Sequence, residues 1–210
     1  MQKSFYRRRV LAVAAAAFVV GEFPPTHAAD RQTVLEPIQL LVDALLRVMK
    51  AGAGTPFAQR FEMLAPVINR TFDLGAILEE SVGAAWAALT PDQQQALAQA
   101  FGRYTVATYV NSFNAFNGQR FEVKPDTRTV GNQQIVETQI IPRSGEAHEL
   151  DYVMRQGSSG WRAVDVLADG SISRVAVQRS DFRRLLARGG AQGLANSLRS
   201  KSTDLSDGAS

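Results

Sequence analysis

Apolar residues recur at helical spacing through the first half of the chain and at a spacing of two through much of the second. From Thr33, the positions Ile38, Leu41, Val42, Leu45, Leu46 and Met49 fall three and four apart, which predicts an amphipathic helix. Thr33-Val34-Leu35-Glu36 has the spacing of a capping box and is expected to open it, and Ala51-Gly52-Ala53-Gly54 to close it. Thr55-Pro56 starts a second helix with Phe61, Leu64, Val67 and Ile68 on its apolar side, kinked or restarted at Pro66. Asp73 caps a third, through Ile77, Leu78 and Val82 to Trp86. The fourth begins at Thr90-Pro91-Asp92-Gln93, where a capping hydroxyl, a proline suited to the first helical position and a capping-box glutamine stand in order. It is expected to run to Asn117. Its apolar stripe moves: Leu97, Phe101, Tyr104 and Thr108 follow one face, and Val106, Tyr109, Phe113 and Phe116 another. A helix apolar on two sides is expected to be covered on both, as a spine between two halves of the molecule.

After Gly118 the period falls to about two. Phe121 and Val123 alternate with Glu122 and Lys124, and the β-branched run Gln134–Ile141 stops at Pro142. Leu150, Tyr152 and Met154 share one face of a strand from Glu149 to Arg155. Gly157-Ser158-Ser159-Gly160 reads as a hairpin loop, Trp161–Leu167 as the next strand, and Asp169-Gly170 as a tight turn. Ile172–Val177 is expected as the last strand, and Asp181–Leu198 as one or two closing helices. Consecutive short strands predict an antiparallel meander, not βαβ units. The fold class is therefore α+β: amino-terminal helices packed on a curved antiparallel sheet of four or five strands, with a closing carboxy-terminal helix, in a cone of the NTF2-like kind.

The first thirty residues stand apart from this pattern. Lys3 and Arg7-Arg8-Arg9 precede the apolar run Val10–Val20, and Thr26-His27-Ala28-Ala29 offers small residues for cleavage. This predicts a secretory signal peptide over residues 1–29, a domain over 30–199 and a disordered Ser/Asp/Gly-rich tail over 200–210. The signal alters the reading of charge. It holds four basic residues and one acidic one, out of totals of 23 and 20, so the remainder is formally neutral. The sequence pI of about 9.5 then argues for neither nucleic acid nor anionic membranes. With no cysteine in 210 residues, disulfides and thiolate chemistry are excluded. An exported, soluble protein is expected.

Candidate chemistry is sparse. His148 stands among Glu146 and Glu149 without a second His or Cys, so neither a catalytic base nor a metal site is expected there. No nucleophile elbow, phosphate loop or dinucleotide fingerprint occurs. Neither cofactor nor metal is expected. Asp165 lies amid Val164, Val166 and Leu167, and with Tyr152 it supports an alternative reading as an isomerase-like enzyme using an Asp–Tyr pair in the cone. Against this, Asp165 reads as a structural carboxylate bonded to backbone or arginine. An interaction adaptor with a solid core is a third reading. The supply of aromatic residues favours an apolar pocket over both.

Several short phrases together resemble one family. They are Phe72-Asp73-Leu74, Val82-Gly83 with Trp86, Leu89-Thr90-Pro91 with Gln94 and Phe101, and Thr108-Tyr109. Further on come Tyr152, Gly160-Trp161, Asp165-Val166, Gly170-Ser171-Ile172-Ser173 and Arg179-Ser180-Asp181-Phe182. Their order and spacing resemble the MlaC family, also called the toluene-tolerance family, of periplasmic phospholipid-binding proteins. The likeness spans roughly Thr33 to Leu198. Ser81-Val82-Gly83 and the run Ser173–Ser180 look closer to the hopanoid-associated HpnM branch, and Gln178 stands where the family commonly has an aromatic. The resemblance implies a periplasmic carrier that holds phospholipid or hopanoid tails in an apolar cavity. It also implies partners: an inner-membrane MCE-domain ABC transporter complex and an outer-membrane lipoprotein complex. The residues expected to wall the cavity are Val82, Trp86, Phe101, Tyr104, Val106, Tyr109, Phe113, Tyr152 and Met154.

Overall fold

The computed structural model describes residues 27–208, with side chains from residue 33 onward. Most of the expected signal peptide, and the last two residues of the expected tail, lie outside the described residues. Helix α1 spans His27–Ala51, so Thr33 lies inside it and its box pattern marks no helix start. Helix α2 (Phe57–Thr71) continues through Pro66. Asp73 then caps α3 (Leu74–Val82), its carboxylate accepting from the Ala76 amide. The expected extension to Trp86 tightens into a 3-10 turn over Gly83–Ala88.

Helix α4 (Pro91–Ser112) opens as its sequence predicts. Thr90 accepts from the Gln93 amide, and the Gln93 side chain accepts from the Thr90 amide. It ends earlier than expected, after 22 residues, so Phe113 is its cap and Phe116 lies beyond it, exposed, with the Lys50 ammonium over its ring.

Five antiparallel strands follow in chain order: β1 (Arg120–Val130), β2 (Gln133–Ile141), β3 (His148–Gly157), β4 (Gly160–Ala168) and β5 (Ile172–Ser173). The meander is the one the spacing predicts. Irregularities after Val123 and after Val153 bend the strands. Asp169 and Gly170 both take positive φ inside the three-residue loop between Ala168 and Ile172, closed by the Ser171 amide donating to the Ala168 carbonyl.

The expected strand Ile172–Val177 is corrected to a two-residue strand followed at once by a helix. Ser173 accepts from the Ala176 amide and caps α5 (Arg174–Asp207), which turns Val175 and Val177 from strand positions into helical ones. α5 is two helices joined at Gly190, whose φ of 60° and ψ of −163° break the helical path. The tail expected to be disordered from Ser200 is instead helical to Asp207, with Ser202 buried.

The core gathers the inner faces of all five helices over one face of the sheet. Ile38, Leu41 and Leu45 of α1, Leu64 and Ile68 of α2, Leu97 of α4 and Leu194 of α5 are fully buried. Val136, Tyr152, Met154 and Ala163 meet them from the strands. One backbone seam fastens helices to sheet: Phe72 bridges Ala163, and the Asp73 amide donates to the Ala163 carbonyl at 2.9 Å.

Candidate functional site

Between α4 and the sheet, the packing leaves a cavity of about 280 Å³. Helix α4 supplies one wall. Phe101, Tyr104, Thr105, Thr108, Tyr109 and Ser112 face the space, separated by three, one, three, one and three residues, which is a single helical stripe. The opposite wall comes from short pieces of distant chain. Phe72, Leu74 and Ile77 enter from the start of α3, Leu150 from β3, Val166 from β4, and Val175 from the first turn of α5.

Rings close one end in series. Phe72 and Tyr109 lie 5.5 Å apart, Tyr109 stacks on Phe113 at 5.9 Å, and Phe113 meets Phe121 at 6.0 Å. Toward the other end, Phe101 meets Phe182 of α5 edge-on at 6.2 Å. Such centroid separations are those of favourable aromatic pairs.

The polar groups of the wall are largely satisfied within the protein. The Thr105 and Thr108 hydroxyls donate to the carbonyls of Phe101 and Tyr104, one turn back. The Gln178 side-chain oxygen accepts from Ser81. The Tyr109 hydroxyl is buried against that of Tyr152. Burial, then the charge Tyr152 would carry, then the hydrogen bond between them push Tyr109 well above the usual phenol range. Burial raises Tyr152 as well. Both phenols are therefore neutral. Together with Phe72 and Phe113 they close that end of the hollow.

Of the expected wall residues, the structure brings Phe101, Tyr104, Tyr109 and Phe113 to the cavity. Tyr152 stands one layer behind, buried against Phe72 and Tyr109. Val82, Val106 and Met154 are corrected to the solid core. Val106 is five residues from Phe101, about 140° round the helix at 3.6 residues per turn, so it faces away from the hollow. Trp86 is half-buried on the 3-10 turn, packed against the core rather than the cavity, with its carbonyl accepting from Gln94. Phe72, Leu74, Ile77, Leu150, Val166 and Val175 were not in that set. Phe72 and Leu74 lie in a phrase that carries the family likeness, which was the available signal.

Asp165 is a structural carboxylate. One oxygen accepts from the Val175 and Val166 amides, at 3.0 and 2.7 Å, and the other from the Ser173 hydroxyl, so it clasps the start of α5 to β4. The strand register sets Tyr152 opposite Val166, and Asp165 opposite Val153. Asp165 borders the cavity, but its oxygens are taken by Val166, Ser173 and Val175 while Tyr152 is buried against Phe72 and Tyr109, so the two are not joined as a catalytic pair. His148 is exposed at the start of β3.

A second, larger cleft of about 510 Å³ adjoins the cavity and shares Asp165 and Val175 with it. Its charges are already matched. Arg179 pairs with Glu80, and Arg155 reaches Asp73 at 3.4 Å. The apolar cavity is therefore the better candidate for a greasy ligand.

A helical layer over a meander sheet, with an apolar hollow opening between them, defines an α+β domain with room beside its core for an apolar ligand. The chain belongs to the MlaC family: the sequence model of that family, described as MlaC protein, matches residues 39–200. Among solved structures, the chain is similar to the phospholipid-binding protein from Ralstonia solanacearum in complex with a phospholipid. The two share 22% sequence identity and a TM-score of 0.71, over 82% of this chain and 98% of that one, which is a likeness of fold.

Proposed function

We propose that this protein is a periplasmic lipid carrier. It holds acyl tails in the α4 cavity without converting them, and passes lipid between an inner-membrane MCE-domain ABC transporter complex and an outer-membrane lipoprotein complex. The observation that carries the reading is the cavity itself, an apolar space of about 280 Å³ walled by aromatic rings and by hydroxyls turned back on their own helix. Membership of the MlaC family and a fold like that of a protein solved with phospholipid bound support it.

The energetics suit a shuttle. Removing one methylene from water is worth about 0.8 kcal/mol, so a chain seated in the cavity is strongly protected from solvent. A bilayer offers the same chain nearly the same surroundings. Transfer in either direction is therefore close to balance, and a docking partner that favours the open form can tip it. The cavity lies just below the range of about 300–1,000 Å³ common for ligand pockets. It admits part of one tail as it stands, and a two-tailed lipid requires its walls to part.

The test is direct. Protein purified from cells should yield lipid in a solvent extract read by mass spectrometry, and lipid-free protein should take up lipid from vesicles. Thr108→Phe, which fills the hollow from α4, should abolish uptake while circular dichroism stays unchanged. A consistently lipid-free extract together with no vesicle uptake would refute the carrier.

A further inference from the structure

The rings that close one end of the cavity are not held alike. Phe72 is buried and fixed by the backbone seam to Ala163. Tyr109 sits within α4, backed by Tyr152 in the solid core. Phe113 and Phe121 are only half-buried. Phe113 caps α4 in a non-helical conformation, φ −114° and ψ 52°, and Phe121 is the second residue of β1, the edge strand of the sheet. In the chain between them, the Asn117 amide donates to the Gln119 side chain, which donates in turn to the Ala115 carbonyl. These bonds tie the loop to itself and not to the body.

Behind this pair lies a second hollow instead of core. Leu46 and Lys50 of α1, Phe116, Ile141 of β2 and Phe121 itself line a groove of about 490 Å³. Phe113 borders the inner cavity, Phe121 borders the outer groove, and their centroids are 6.0 Å apart, so the partition is two rings thick. Turning either ring aside costs aromatic contact but no hydrogen bond of its side chain. A tail entering the inner cavity gains about fourfold in affinity for each methylene it buries, until it meets a ring.

We infer that the Phe113–Phe121 pair is the stop that sets the tail length this cavity accepts, and that parting it passes the end of a longer chain into the outer groove. This rests on the carrier reading above and adds to it a selector of chain length.

The experiment titrates lipid-free protein with saturated fatty acids of increasing length, each kept below the concentration at which it self-associates. Wild-type affinity should climb about fourfold per methylene and then level off. Phe113→Ala and Phe121→Ala should each move the levelling point to longer chains, so that the longest acids bind about tenfold more tightly than to wild type while the shortest are unchanged. Phe121→Leu, a milder change that keeps the site apolar should the alanine variants fail to fold, should move the point in the same direction. Phe116→Ala, on the same loop but outside the partition, should leave it in place. A wild-type series that climbs without levelling overturns the stop and leaves the carrier standing. So does a levelling point that stays put in the Phe113 and Phe121 variants, or that Phe116→Ala moves as far as they do. Binding of no chain at any length refutes the carrier and the stop together.

Discussion

Asp151 shows what a buried carboxylate does when its neighbours share its sign. It lies almost fully buried on β3. Burial first, and then the charges of Glu137 and Glu149, raise its pKa, against the pull of the Thr138 backbone and of Arg128 at 4.0 Å. Such a group binds its proton more tightly folded than unfolded. Its stabilising contribution is therefore present at low pH and is lost as pH rises from the ordinary value of 3.8 through the raised folded one. Asp151→Asn should raise the melting temperature at pH 7, with the gain shrinking toward nothing near pH 3. A gain of constant size across that range would show that charge is not its source. Glu137 behaves in the opposite sense: the hydrogen bond from Lys124 lowers its pKa, so its contribution is present above 4.5 and falls away in acid.

The two halves of α5 do different work. The first brings Arg174, Val175 and Gln178 to the cavity, and the second buries Ala191, Leu194, Ala195 and Leu198 in the bundle. The break falls at Gly190, in a conformation that a side chain disfavours even though the space around it is open. Gly190→Ala should cost about 1–3 kcal/mol in chemical denaturation. Gly189→Ala next to it, in equally open space at ordinary φ, should be neutral or stabilising by up to about 1 kcal/mol. Similar losses from both would remove the kink as the cause. Sequence rules captured much of this level of structure. The Thr90 capping box, the Asp73 cap and the hairpin at Gly157–Gly160 work locally, so local residues announce them. Ile172–Val177 misled because β-branched residues favour a strand, whereas the helix start was decided by Asp165, eight residues away on β4. The tail after Ser200 misled in the same manner: its polar composition hides Ser202, which is buried by the rest of the bundle.

At the scale of the molecule, the site is where reading the sequence reached its limit. Residues on α4 are apolar on two sides, and no periodicity tells the side that meets a core from the side that meets a hollow. Val106 and Tyr109 looked alike and were separated only by what packs against them. The facing wall, from Phe72 through Leu150 to Val175, exists only once the meander has brought three distant segments together. The smallness of the cavity has a consequence that can be tested in the same terms. A two-tailed lipid needs these walls to part, and where α3 faces the first half of α5 the pair Arg179–Glu80 spans them, so that seam can be tested. The chain has no cysteine, so Glu80→Cys with Arg179→Cys can be bridged selectively by a short reducible thiol cross-linker. Lipid exchange should stop on bridging and resume on reduction. Exchange at the unbridged rate would mean that the walls part elsewhere.

The kink at Gly190 gives α5 the character of a bent rod with one arm sunk in masonry. The sunken arm is anchored through Leu194 and Leu198, away from the hollow. Any widening of the hollow on that side is thereby confined to the arm before the bend, whose ties include those at Asp165, Phe182 and Arg179.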